Sequence, residues 1–144
     1  MKSNISFINN DISFLLKQKK RLKEWIISVI LEEEKTPGVI SYIFCSDDFL
    51  VDINMKYLNS NYLTDIITFD YTEDTIISGD IMISIERVKD NAKTYKTTFH
   101  NELLRVIIHG ILHLCGYKDK SSTEIKTMRK KENYYINKYV KSSA

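Results

Sequence analysis

The most apolar stretch of the chain lies at 101–115, where Leu103, Leu104, Val106, Ile107, Ile108, Ile111, Leu112 and Leu114 cover most of a helix's circumference. A helix apolar nearly all round belongs at the centre of a domain. The other elements read outward from it. Ile5 and Phe7 alternate as a short first strand, which Asn9-Asn10-Asp11 breaks. Over 15–34, Leu15, Leu22, Trp25, Ile26, Val29 and Ile30 recur at helical spacing, and Pro37-Gly38 is the expected stop. Residues 39–45 are β-branched and aromatic and predict a buried strand. Ser46 or Asp47 can then cap a helix carrying Phe49, Leu50, Ile53, Met55, Tyr57 and Leu58, and Asn59-Ser60-Asn61 reads as a loop. Strands at 64–71 and 76–85, the second broken by Gly79, flank Thr72-Glu73-Asp74-Thr75 as an antiparallel hairpin. A short polar helix follows at 86–96, and after the central helix Ser121 or Ser122 can cap a last one bearing Ile125, Met128, Tyr135, Ile136 and Tyr139. The order β-α-β-α-β-β-α-α-α predicts an α+β fold: a single domain over 1–144 with a small mixed four-stranded sheet packed by helices.

Composition narrows the class. With 43% hydrophobic and 28% charged residues in 144, the chain has the makings of one globular core. No apolar run approaches the eighteen or so residues of a membrane span, and the amino terminus carries no basic-then-apolar signal, so a cytoplasmic protein without membrane contact is expected. Cys45 and Cys115 both lie in apolar surroundings, which favours reduced, buried thiols. The net charge of +2 is unevenly spread. Residues 40–90 hold ten acids against three bases, and residues 118–144 hold eight bases against three acids. A basic carboxy-terminal face suits a polyanionic substrate, though it equally describes a solvated helix.

The candidate chemistry sits on the central helix. His109 and His113 are four apart and therefore share one face. Burying two imidazoles without partners costs roughly 1–3 kcal/mol each. A metal would satisfy both ring nitrogens. Gly116 can adopt the left-handed geometry that ends a helix, which would let the chain turn back and bring Asp119 toward the two rings. Two nitrogens and one carboxylate leave a position open for water, the catalytic pattern of zinc, one ion per chain.

His109 to Asp119 resembles H-G-x-L-H-L-x-G-Y-D-H, the signature of the YbeY family of metal-dependent endoribonucleases of ribosomal RNA maturation, through His109, Gly110, Leu112, His113, Leu114, Gly116 and Tyr117. Upstream, Asn54 and Tyr57, the run Thr64-Asp65-Ile66-Ile67-Thr68-Phe69, and Gly79-Asp80-Ile81 are similar to the family's N-x-x-Y, T-D-V-L-S-F and G-D-I segments, in order. The resemblance implies a zincin-like metal helix and zinc-dependent cleavage of single-stranded RNA in maturation of small-subunit (16S) ribosomal RNA and ribosome quality control. Ribosomal subunit proteins would be further partners. Two positions depart from the pattern. Asp119 stands where the family's third ligand is usually histidine, with Lys118 where aspartate is usual. Leu58 stands where the family often has a functional arginine, so a phosphate-contacting cation would have to come from elsewhere, Arg105 or a lysine of the last helix.

Two other readings compete. The spacing also resembles the metzincin peptidases, H-E-x-x-H-x-x-G-x-x-H, but Gly110 occupies the position of their glutamate base. Alternatively, the chain is a ribosome assembly factor whose metal is structural, its fourth position closed by Cys115 or Glu102. Glu102, seven residues before His109 on the same face, is either a base or an acceptor for a ligand histidine, or else a first-turn acid paired with Arg105. Asp65 and Asp80 read as turn residues, and Cys115 as core. Lys17 to Lys23 form a solvated face that could touch RNA, and Tyr57, Tyr62, Tyr71 and Tyr117 could stack on unpaired bases.

Overall fold

A computed structural model describes residues 4–58 and 64–142. Four strands and five helices follow in the expected order: β1 (Asn4–Asn9), α1 (Lys19–Glu32), β2 (Thr36–Cys45), α2 (Asp47–Leu58), β3 (Ile66–Asp70), β4 (Ile76–Ser84), α3 (Ile85–Thr94), α4 (Phe99–Leu114) and α5 (Ser122–Lys141). The sheet order is β1-β2-β4-β3. β1, β2 and β4 run parallel, and β3 lies antiparallel at the edge as the first arm of a hairpin with β4. The expected loop at 59–61, and Tyr62, lie outside the described residues.

The central helix is central. Ile107, Ile108, Ile111 and Leu112 of α4 have no exposed surface, and they join Ile40, Tyr42, Ile81 and Ile83 of the sheet in one core with α1 and α5. The Tyr42 hydroxyl, buried in that core, donates to the Ile107 carbonyl at 2.9 Å. Where α4 crosses the sheet, a Cβ on Gly110 would meet Ile81 at 3.0 Å and Ile66 at 3.2 Å. Gly110 is thus the close-approach point between helix and hairpin. α2 covers the opposite face, with Leu50 against Cys45 and Ile67.

Three boundaries differ from the sequence pattern. α1 begins at Lys19 rather than 15, because Gln18 takes the left-handed conformation (φ 59°). Leu15 is consequently exposed, and Leu16 goes into the core instead. Pro37-Gly38 does not stop α1; Glu34 does, in the left-handed region (φ 61°), and Pro37-Gly38 lies inside β2 at an irregularity of its pairing with β4. Gly79 does not break β4, which runs continuously and buries it. No described helix is long and apolar enough to cross a membrane.

Candidate metal centre

The end of α4 explains how a loop residue reaches the helix's histidines. Gly116 takes φ +110°, the Gly116 N–H donates to the His113 carbonyl at 3.0 Å, and the Tyr117 N–H reaches back to the Leu112 carbonyl at 3.0 Å. This paired closure of a helix end reverses the chain. It sends the Tyr117 carbonyl to His113 Nδ1, 2.9 Å away, and the following residues back across the two rings. Asp119 Oδ2 then lies 3.3 Å from His109 Nε2 and 3.5 Å from His113 Nε2. One donor atom from each of the three residues falls within 4.8 Å of the others.

The outer nitrogens decide what the inner ones can do. His109 Nδ1 is 2.7 Å from Glu132 Oε2. A carboxylate and a backbone carbonyl only accept, so each ring donates from Nδ1, and in the neutral rings both Nε2 lone pairs face Asp119. Tetrahedral zinc with ligand bonds of about 2.0–2.1 Å separates its donors by about 3.3–3.4 Å. The two imidazole-to-carboxylate distances match that edge, so the residues fit a small divalent cation. Among the described residues neither Cys115 nor Glu102, nor any other histidine, cysteine or carboxylate, joins the group. Cys115 packs against the core only partly buried, unlike the fully buried Cys45, and burial pushes both thiols up to about 12.

Charge around the two rings is unequal. Burial pulls His109 down, but Glu132, Asp119 and Asp65 together outweigh it and raise its pKa. His113 is lowered, by burial and by its neighbour His109, against the pull of Asp119. Glu132 is itself almost fully buried, and it keeps its charge because His109, Arg105 and Arg129 overcome the cost of burial and lower its pKa.

Glu132 went unnoticed in the sequence pattern, and it takes the acceptor role weighed for Glu102. Arg105, one candidate for a phosphate-contacting cation, donates instead to Glu132 Oε1 at 2.9 Å and Asn133 Oδ1 at 2.9 Å, rather than pairing with Glu102. Glu102 is buried in the wall of the same cleft, its carboxyl pushed up by burial and by Asp65. Asp65, read from sequence as a turn residue, also lines the cleft. Its carboxyl is raised by burial, against the field of His109, and it accepts from Asn91. Asp80 lies away from the site and accepts from the Tyr71 hydroxyl. Leu58 lines the cleft and is half exposed. The whole cleft encloses about 880 Å³ between the β3 edge, α4 and α5.

Residues 4–140 match the family described as Endoribonuclease YbeY. The chain belongs to the YbeY family. It is 52% identical over 128 residues to the Endoribonuclease YbeY of Flavobacterium johnsoniae, covering 89% of this chain and 92% of that one. To the YbeY of Amoebophilus asiaticus it is 49% identical over 136 residues, covering 94% and 92%. The solution structure of TM1509 from Thermotoga maritima superposes with a TM-score of 0.66 at 28% identity, over 94% of this chain and 88% of that one. YbeY proteins are named as endoribonucleases, hydrolases of RNA phosphodiester bonds, which is the class of chemistry an open metal position can serve.

Proposed function

We propose that the protein is a zinc-dependent endoribonuclease specific for single strands, acting in maturation of small-subunit (16S) ribosomal RNA, with zinc held by His109, His113 and Asp119. The observation that carries the reading is the convergence of two Nε2 atoms, each fixed by its own Nδ1 partner, on one carboxylate oxygen 3.3 and 3.5 Å away. Zinc bound there supplies a Lewis acid that polarises a phosphoryl oxygen and acidifies water. Glu132 and the Tyr117 carbonyl hold the rings in the tautomer that ligation needs. Glu102, held protonated to higher pH than an ordinary carboxyl, sits in the cleft wall where it can exchange a proton with the attacking or leaving oxygen. Arg105 acts through Glu132, keeping that carboxylate charged and in place.

Support for catalysis over a purely structural metal comes from the donor set, which no fourth histidine, cysteine or carboxylate joins among the described residues. Support against a peptidase comes from Gly110, where a glutamate base would have to fit against Ile81 and Ile66. Asp119→Ala tests the assignment: metal content and RNA cleavage should fall together with little change in fold. Stoichiometric zinc in that variant would remove Asp119 from the site. Attack by water leaves a plain 5′-phosphate on the downstream fragment, and attack by the 2′-hydroxyl leaves a 2′,3′-cyclic phosphate, so product analysis separates the routes. Cleavage of unfolded protein but not of single-stranded RNA would overturn the reading altogether.

A further inference from the structure

The cleft continues past the three donors. A smaller hollow of about 270 Å³ adjoins it, lined by Tyr95, Thr97, Asn101, Glu102, Arg105 and Arg129. Four of these, Tyr95, Glu102, Arg105 and Arg129, also line the main cleft, so the two spaces are contiguous. The hollow holds two guanidinium groups in very different states. Arg105 is 21% exposed and uses both arms, on Glu132 and Asn133, at 2.9 Å each. Releasing it would strip a cation from a buried carboxylate. Arg129 is 58% exposed, and its approach to Glu132 Oε1 is 3.6 Å, beyond hydrogen-bond length. Arg129 can therefore turn to an incoming anion while Arg105 keeps Glu132 paired.

Tyr95 is the other unusual member. It caps the end of α3, its N–H fixed to the Asn91 carbonyl at 2.9 Å, yet its side chain leaves the residue 66% exposed beside the hollow. An exposed ring and a loosely held guanidinium in one recess are what a splayed nucleotide needs: a face for the base and a cation for the phosphate. We infer that this hollow is a nucleotide subsite, with Arg129 taking a backbone phosphate and Tyr95 stacking on the base next to the bond held at the metal centre. The inference rests on the nuclease reading. A base paired in a duplex has no open face to offer Tyr95, so the subsite selects single strands.

The test is binding of a fluorescent ten-nucleotide oligouridylate to the metal-loaded protein, read by anisotropy over a range of salt before cleavage, alongside KM and kcat. Arg129→Ala should weaken binding about tenfold at low salt and flatten the log–log salt dependence by about 0.7, the share of one single-strand phosphate contact. Tyr95→Ala should weaken it at least about fivefold with the salt slope unchanged, and Tyr95→Phe should restore it. In both alanine variants KM should rise more than kcat falls. Wild-type affinity in both variants, with cleavage intact, would overturn the subsite alone. An equal loss in Lys20→Ala, on the exposed face of α1, would show diffuse attraction and also overturn it. A wild-type protein that neither binds nor cuts the oligomer would overturn the nuclease reading and the subsite with it.

Discussion

His109 and His113 sit one turn apart on the same helix, yet the fold orients them by opposite means. His109 leans on a side chain, the buried carboxylate of Glu132, which Arg105 anchors from the far side. His113 leans on the backbone, the Tyr117 carbonyl, and that loop is anchored in turn: the Tyr117 hydroxyl donates to Glu33 Oε1 at 2.7 Å, while Lys131 at 3.1 Å and the Tyr135 hydroxyl hold Glu33 Oε2. One ring thus has a full negative charge behind it and the other a dipole. Burial pulls both pKa values down; the Glu132 charge helps carry His109 above its ordinary value, while His113, with a dipole behind it and His109 beside it, stays lowered. A charged acceptor makes its imidazole more basic and is exposed to mutation. A backbone acceptor cannot be deleted, only misplaced.

The largest effect should therefore come from the charged side. Glu132→Ala leaves His109 without its acceptor and Arg105 with one acceptor fewer. Metal affinity should fall about 10–100-fold. The metal-free protein should also lose up to about 3–5 kcal/mol, the usual result of breaking a buried ion pair, less a discount because Arg105 is partly exposed. Chelator competition and thermal melts of the metal-free form check the two parts. Glu132→Gln keeps an acceptor but no charge and should fall between the alanine variant and wild type. Unchanged affinity in both would mean that His109 needs no anion behind it.

A smaller effect is expected on the backbone side. Tyr117→Phe removes one hydrogen bond to a charged group, worth about 1.5–3 kcal/mol, and leaves the carbonyl in place. Metal affinity should drop by only a few fold, because Lys131 and Tyr135 still fix Glu33. Glu33→Ala, which loosens all three partners, should exceed it. The same ranking should appear in the absorption spectrum of the cobalt-substituted protein, where altered donor geometry shifts bands that a purely global loss of stability leaves alone. Equal effects of the two variants would dissolve the contrast between the two histidines.

What the sequence made legible follows the same division. The pair His109 and His113, the Gly116 turn and Asp119 are all within eleven residues, and helix periodicity plus one glycine connects them. The element order and the hairpin were legible because alternation and capping are local too; Ser121, for example, closes a capping box with Glu124. Glu132 is 23 residues from its histidine, on a helix whose pattern reads less cleanly. Its signal was nonetheless present, since Glu132 lies four residues from both Met128 and Ile136 on the buried stripe of α5, where a charge demands a partner. Glu33 hid in the run Glu32-Glu33-Glu34, which looks like a solvated helix end. Leu15 misled for the reverse reason. Its spacing fits the helix, but Gln18 turns left-handed, and helical periodicity says nothing about where a chain enters its helix.

The subtlest prediction concerns the two glutamates of the cleft, which should make opposite contributions to stability as pH changes. Glu132 has its folded pKa lowered, burial being outweighed by His109, Arg105 and Arg129. Its contribution is present above the unfolded value, near 4.5, and is lost as pH falls through the lower folded value. Glu102 has its folded pKa raised, by burial first and then by Asp65. Between its unfolded and folded values the native state binds the extra proton, so stability declines as pH rises through that window, and above it Glu102 is a standing cost. Glu102→Gln removes that cost without changing shape. The metal-free variant should melt higher than wild type at pH 7–8, with the gain shrinking as pH falls and vanishing near pH 4, where wild-type Glu102 is protonated in both states. A gain of equal size at every pH would trace the effect to packing, and no gain at pH 8 would mean that the cleft tolerates the ionised carboxylate at no cost.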